Sequence, residues 1–113
     1  EIEAVVSCAQ GRLVKVILEC CLLTDEEKIA GAKIVKDAGA HFVKTSTGLS
    51  KWGARLEDVI LLRQAVGPDF GVKASGGIRT YQQVCSFVEA GADRIGTSAG
   101  LKIMEEFRIS SSS

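Results

Sequence analysis

The chain has 113 residues, of which 46% are hydrophobic and 25% charged, with a single proline, a composition that excludes disorder and points to one compact domain of regular secondary structure. Fourteen basic residues balance fourteen acidic ones, so no net field draws in nucleic acid or an anionic membrane surface, and any bound anion must be captured by local groups. No apolar run approaches the roughly 18 residues that cross a bilayer, and no charged-then-apolar leader opens the sequence.

The opening residues from Glu1 read as the entry into a helix. Strand character follows over 13–19, then an amphipathic helix over 25–38, a strand over 42–46 and a helix over 56–66. The pattern repeats with a strand over 72–75, a helix over 81–90, a strand over 94–97 and a closing helix over 101–107. Continuous apolar strands separated by helices predict parallel pairing through right-handed crossovers. Thr24 with Glu27, and Thr80 with Gln83, have capping-box spacing, while Gly39, Gly67 and Gly91 stand where helices should stop. Ile29, Ala32, Val35 and the stem of Lys36 form one stripe of the first full helix, which should cover a sheet. Asp25, Glu26 and Glu27 fit a stabilising role at its N-terminus.

An internal repeat supports the same architecture. The segments 38–48 and 90–100 agree at six of eleven positions, each ending a helix, running a strand and finishing in a small polar loop. That is the unit of a β/α barrel, whose working face is built by the loops after the strands. A closed barrel has eight strands in about 250 residues. Four strand-helix units over residues 1–109 therefore make half of one, to be completed by oligomerisation or rearranged, with 110–113 a disordered serine tail.

The four cysteines, Cys8, Cys20, Cys21 and Cys85, have neither zinc-ligand nor disulfide-framework spacing and read as reduced packing thiols of a cytoplasmic protein. His41, opening a strand, reads as an exposed or edge residue. Trp52, beside Lys51 in a polar loop, could cover a substrate or cap the barrel.

Three lysines carry the chemistry. Lys15, Lys44 and Lys73 lie inside successive strands at intervals of 29 residues, which predicts equivalent heights on neighbouring strands and, through the period of two, a shared face. Ammonium groups forced together lose hydration and repel one another, and the least costly response is for one to give up its proton. A neutral lysine is a nucleophile that forms Schiff bases with carbonyl substrates. The alternative, lysines pointing outward or snorkelling from strand ends, fits three in register less well than it fits one. Downstream, Gly76-Gly77-Ile78-Arg79-Thr80 and Gly96-Thr97-Ser98-Ala99-Gly100 follow the last two strands. Glycines let backbone N–H groups approach an anion and the helix starting near Thr80 offers its positive end, so these loops predict a phosphate site.

Four motifs, V-K-V-I-L-E over 14–19, F-V-K-T-S-T-G over 42–48, G-V-K-A-S-G-G-I-R-T over 71–80 and R-I-G-T-S-A-G over 94–100, resemble the deoxyribose-phosphate aldolase family. The likeness runs from Glu1 to about Met104 and implies strands five to eight of a (β/α)8 barrel. It implies a Schiff-base aldolase that reversibly cleaves 2-deoxy-D-ribose 5-phosphate to acetaldehyde and glyceraldehyde 3-phosphate, with no metal or cofactor. In that reading Lys44 holds the covalent intermediate, Lys73 is its cationic neighbour, and Lys15 is a further active-site lysine. Gly76, Gly77, Arg79, Gly96 and Ser98 hold the phosphate, with Thr45 and Gly48 also contacting substrate. The family chain carries a further N-terminal half, with an aspartate on its fourth strand that takes part in proton relay. The loop after Gly48 reads Leu-Ser-Lys-Trp-Gly-Ala, where many relatives are smaller and glycine-rich. The expected partners are a small sugar phosphate and further copies of the chain. A second reading is a catalytically inactive phosphate-binding half-barrel that self-associates, and a third is a Schiff-base aldolase for a longer sugar phosphate.

Overall fold

The computed structural model describes residues 2, 3, 7, 14–46 and 52–112, with 109–112 described by backbone alone. Residues 2, 3 and 7 are helical, in keeping with the expected opening. The strands are β1 (Lys15–Ile17), β2 (Phe42–Lys44), β3 (Gly71–Ser75) and β4 (Arg94–Gly96), and the helices α1 (Asp25–Asp37), α2 (Leu56–Val66), α3 (Tyr81–Ala90) and α4 (Gly100–Ser112). A short 3-10 turn, Cys20–Leu22, links β1 to α1. The serine run expected to be disordered continues α4 as far as Ser112, because each added residue of a formed helix gains a backbone hydrogen bond and serine opposes this only weakly.

The sheet is wholly parallel in the order β1-β2-β3-β4. Every crossover therefore steps one strand in the same direction, and right-handed connections of that kind put all the helices on one face. Val43, Val72 and Ala74 are fully buried on that face against Ala32 and Val35 of α1, Val59, Leu62 and Val66 of α2, and Phe87 of α3. The opposite face carries Lys15, Ile17, Phe42, Lys44, Lys73 and Arg94, and Ile17 there is 43% exposed. One apolar face under helices and one polar, uncovered face is half of a β/α barrel, whose interior is the second face.

Both capping boxes form. Thr24 accepts from the Glu27 N–H at 3.2 Å while Glu27 Oε1 accepts from the Thr24 N–H at 2.9 Å, and Thr80 and Gln83 do the same for α3. Gly39, Gly67 and Gly91 end α1, α2 and α3 at φ of 90°, 80° and 120°, conformations that a side chain would strain. Neighbouring helices also close one another's C-termini: Lys36 of α1 donates to the Val66 carbonyl at 2.7 Å, and Arg63 of α2 donates to the Gly91 carbonyl at 2.8 and 2.9 Å. Arg63 further pairs with Asp93, whose carboxylate accepts from the Val72 N–H of β3.

The α1 stripe contains a buried charge that the pattern did not indicate. Lys28 and Asp58, 6% and 1% exposed, pair at 2.5 Å between the first turns of α1 and α2. Burial alone would lower the Lys28 ammonium, but its bond to Asp58, aided by Asp25, holds it above the ordinary lysine range. Lys28 therefore stays charged at neutral pH, and the stability that its raised pKa contributes is lost as alkali titrates it. Burial, and then the Asp58 carboxylate, push the adjacent Cys20 thiol up to about 12, so it packs as a neutral group. Asp58→Ala, which strands a buried ammonium, is expected to cost about 3–5 kcal/mol of stability. Lys28→Met combined with Asp58→Leu should recover most of that loss, read from denaturant-unfolding midpoints of the two variants.

Candidate active site

Register decides how the lysines meet. Lys44 of β2 stands directly opposite Lys73 of β3, while Lys15 of β1 pairs with Phe42, one side-chain layer further from the strand ends. The expectation of three equivalent heights thus holds for Lys44 and Lys73 and fails for Lys15. The equal intervals do not account for the length of each connection, and β1 meets β2 two residues out of step. All three still share the inner face. Lys73 titrates below the ordinary lysine range because it is partly desolvated and because Lys15, Lys44 and Arg94 add positive charge around it.

Above the lysines, at the C-terminal ends of the strands, lies a cavity of about 450 Å³. Lys44 reaches it from β2, Ser75, Gly76, Gly77 and Arg79 from β3 and its loop, and Gly96, Thr97 and Ser98 from β4 and its loop. The structure thus brings together the Lys44 amine and five of the residues expected to hold a phosphate. Gly76 and Gly77 both adopt positive φ, 97° and 74°, and a Cβ on Gly77 would meet nothing within 4 Å, so conformation and not crowding requires glycine there. At Gly96 the reason is space: a Cβ would lie 2.8 Å from that of Ser75 and 3.1 Å from Lys73 Cε.

The loops are tied to one another. Ser46 donates to the Ser75 carbonyl at 2.6 Å and Ser75 donates to the Ser46 carbonyl at 2.7 Å, while Thr97 donates to the Ile78 carbonyl at 2.5 Å. Thr45 does not face the cavity. It follows Lys44, so the alternation of a strand turns it to the helix-covered side, where it is fully buried and its hydroxyl bonds the backbone of Ser75. Its role is to hold the loop beneath the cavity and not to touch a ligand. Gly48 and Lys51 lie outside the described residues, as does Cys8.

The start of α3 also differs from expectation. The N–H groups of Arg79 and Thr80 donate to Gln83, that of Gln83 to Thr80, and that of Tyr81 to Glu106, so these donors are satisfied within the chain. They are not free to meet an anion, which leaves the glycine loops and the Arg79 side chain as the donors the cavity offers there.

His41 is half-buried at the opposite end of β2 and accepts the Val14 N–H on Nδ1 at 2.9 Å, a packing role remote from the cavity. Trp52 carries the Arg55 guanidinium 3.7 Å from its ring centre, and the next residue, Gly53, lies so close to the Gly76 carbonyl that a Cβ would fall 2.2 Å from its oxygen. Residues 52–54 thus pack beside the glycine turn. Thr97 belongs to the predicted phosphate loop, whereas nothing in the sequence singles out Ser75, which lines the cavity, or Arg94, on the inner face of β4. The face of Arg94 was legible all the same, since it lies two residues before the inward-facing Gly96.

Comparison with known proteins agrees with this geometry. No family model matches the chain. The deoxyribose-phosphate aldolase of Streptococcus sanguinis is 63% identical over 105 residues, which is 93% of this chain and 48% of that protein. That of Clostridium tetani is 62% identical over 107 residues, 94% of this chain and 50% of its own length. The tetrameric structure of deoxyribose phosphate aldolase from Aeropyrum pernix superimposes with a TM-score of 0.87 at 41% identity, covering 95% of this chain and 47% of that one. In sequence and in fold, this chain matches half of a deoxyribose-phosphate aldolase. It spans about half the length of the curated relatives it matches.

In this aldolase-like half-barrel the close approach of Gly53 to Gly76 gives a direct test of the anion cavity. Gly53→Ala is expected to displace the β3–α3 loop and weaken binding of inorganic phosphate about tenfold, equivalent to about 1.4 kcal/mol. Calorimetric titration of the complete protein checks this.

Proposed function

We propose that the protein to which this chain belongs is a Schiff-base aldolase that reversibly cleaves 2-deoxy-D-ribose 5-phosphate to acetaldehyde and glyceraldehyde 3-phosphate. The observation that carries the proposal is the pairing of Lys44 with Lys73 at the floor of a cavity whose far wall is made of glycine-rich loops and Arg79. Only one of the pair lines the cavity, and that is Lys44. Its neighbour Lys73 holds its proton less tightly than an ordinary lysine, so a larger fraction of it is neutral and free to act as a general base beside Lys44.

The chemistry follows from that division. The Lys44 amine adds to the aldehyde carbon C1 of the substrate, and loss of water leaves an iminium. As a base removes the proton of the C3 hydroxyl, the C2–C3 bond breaks and its electron pair moves into the iminium. Glyceraldehyde 3-phosphate departs and an enamine remains on Lys44. Protonation at C2 restores an iminium, and water hydrolyses it to acetaldehyde and the free amine. Gly76, Gly77, Arg79, Gly96 and Ser98 hold the 5-phosphate, which fixes the distance from the anion to the reacting aldehyde. Lys15, one layer below, adds positive charge without reaching the cavity. The substrate is thus a small sugar phosphate. The same reading makes the protein a cytoplasmic homo-oligomer, and the tetrameric relative supports the oligomer.

Borohydride reduction of the complete protein in the presence of acetaldehyde, followed by peptide mapping, tests the assignment. The expected result is one stable adduct, on Lys44, absent from Lys44→Met. Lys73→Met should still fold but form the adduct about 10²–10⁴ times more slowly, the usual contribution of a positioned proton acceptor. An adduct on Lys73 or Lys15 in place of Lys44 would overturn the assignment.

A further inference from the structure

The side chain of Lys73 does not stand straight out from the sheet. Its Cα lies level with Arg94, yet its stem meets Gly96, two residues further along β4: a Cβ on Gly96 would fall 3.1 Å from Lys73 Cε and 3.7 Å from Nζ. Gly96 is the register partner of Ser75. The lysine therefore leans across to β4 and rises one side-chain layer, which brings its amine to the level of Ser75 and Gly96, two residues that line the cavity. Lys44 reaches the same cavity from β2, on the other side of β3. Gly96 is not among the glycines at positive φ, so its backbone does not demand glycine, and the space taken by the Lys73 stem does.

We propose that Gly96 is a positioning residue for the reaction: the slot it leaves on β4 seats the stem of Lys73 and so delivers the Lys73 amine to the edge of the cavity that Lys44 lines. The inference rests on the Schiff-base reading and gives Gly96 a part in the chemistry besides its part in holding a phosphate. A lysine stem is long and flexible, and an amine free to swing on it spends little time in any one place. Laid in a slot against the sheet, the stem has few positions open to it, and a base held in one place is the more effective for it. Two side chains would meet a Cβ at position 96, that of Lys73 and that of Ser75, whose own Cβ would be 2.8 Å away. Ser75 is fixed, since its hydroxyl donates to the Ser46 carbonyl and its carbonyl accepts from the Ser46 hydroxyl. The Lys73 stem is the part free to yield, so a methyl group at 96 turns the amine out of its seat.

The test uses the complete protein and acetaldehyde, which carries no phosphate. Were Gly96 to serve the phosphate alone, Gly96→Ala would form the borohydride-trapped adduct on Lys44 at the unaltered rate. The expected result is a rate lower by about tenfold or more, part of the roughly 10²–10⁴-fold that a positioned proton acceptor supplies. In Lys73→Met there is no amine to displace, so adding Gly96→Ala to it should change the rate by less than about twofold. Unaltered trapping in Gly96→Ala, or an equal loss in the Lys73→Met background, would overturn the inference. A second measurement needs neither variant nor reaction: labelling of lysines by acetic anhydride with and without saturating inorganic phosphate, followed by peptide mapping. Phosphate should slow the labelling of Lys73, whose amine lies beside a cavity-lining glycine, and leave that of Lys15, one layer lower, unchanged. Labelling of Lys73 that ignores phosphate would place the amine elsewhere and sink the inference. Protection of Lys73 in a protein that forms no acetaldehyde adduct would instead remove the aldolase reading and leave the seat at Gly96 standing.

Discussion

The site depends on a single constraint, the in-register pairing of Lys44 with Lys73 on adjacent parallel strands. Two ammonium groups at that separation, partly withdrawn from water, cannot both be held comfortably, and the strain is relieved by loosening one proton. The helix-covered face of the sheet makes the constraint rigid. Val43 and Val72, the residues between and beside the lysines, are fully buried against α1 and α2, so neither strand can slip to separate the charges without exposing its apolar side.

Rigidity on one face serves reactivity on the other by a division of small and large residues. Gly71 and Gly96 lie on the inner face, the first leaving room for the Phe42 ring and the second for the stem of Lys73. The hydroxyls of Ser46, Ser75 and Thr97 tie loop to loop, so the cavity-lining groups left to meet a ligand are the Lys44 amine, Arg79, Ser98 and the glycine backbone. That is a site suited to an anion at one end and a carbonyl at the other. The helix layer is secured by the relay of cations onto helix C-termini, Lys36 to Val66 and Arg63 to Gly91, which favours the same succession of helices around the sheet.

Much of this was legible in the residues. The helix ends follow from Thr24, Thr80 and the three glycines at positive φ, because capping is a local interaction between residues a turn apart. The parallel order follows from apolar strands alternating with helices, and the inward face of Lys44, Lys73 and Lys15 from the period of two. Thr45 shows the same rule applied incompletely: a residue next to an inward lysine must point outward, however polar it is. Lys28 was hidden for a different reason. On a helical wheel a lysine among apolar neighbours reads as a solvated edge, and only the approach of α2, which carries Asp58 some thirty residues later, makes its burial tolerable.

By itself the sequence determined which segments form strands and helices, which lysines face inward, and which glycine loops stand at the strand ends, all properties set by neighbours a few residues apart and by the handedness of the crossovers. Only the tertiary structure decided the register. It set Lys15 one layer below its fellows, brought Arg94 level with Lys73 and onto Phe42, and engaged the first donors of α3 with Gln83 and Glu106. The physical reason is that register depends on how connections of unequal length bring distant strands together, a non-local balance of packing that no short window of residues encodes.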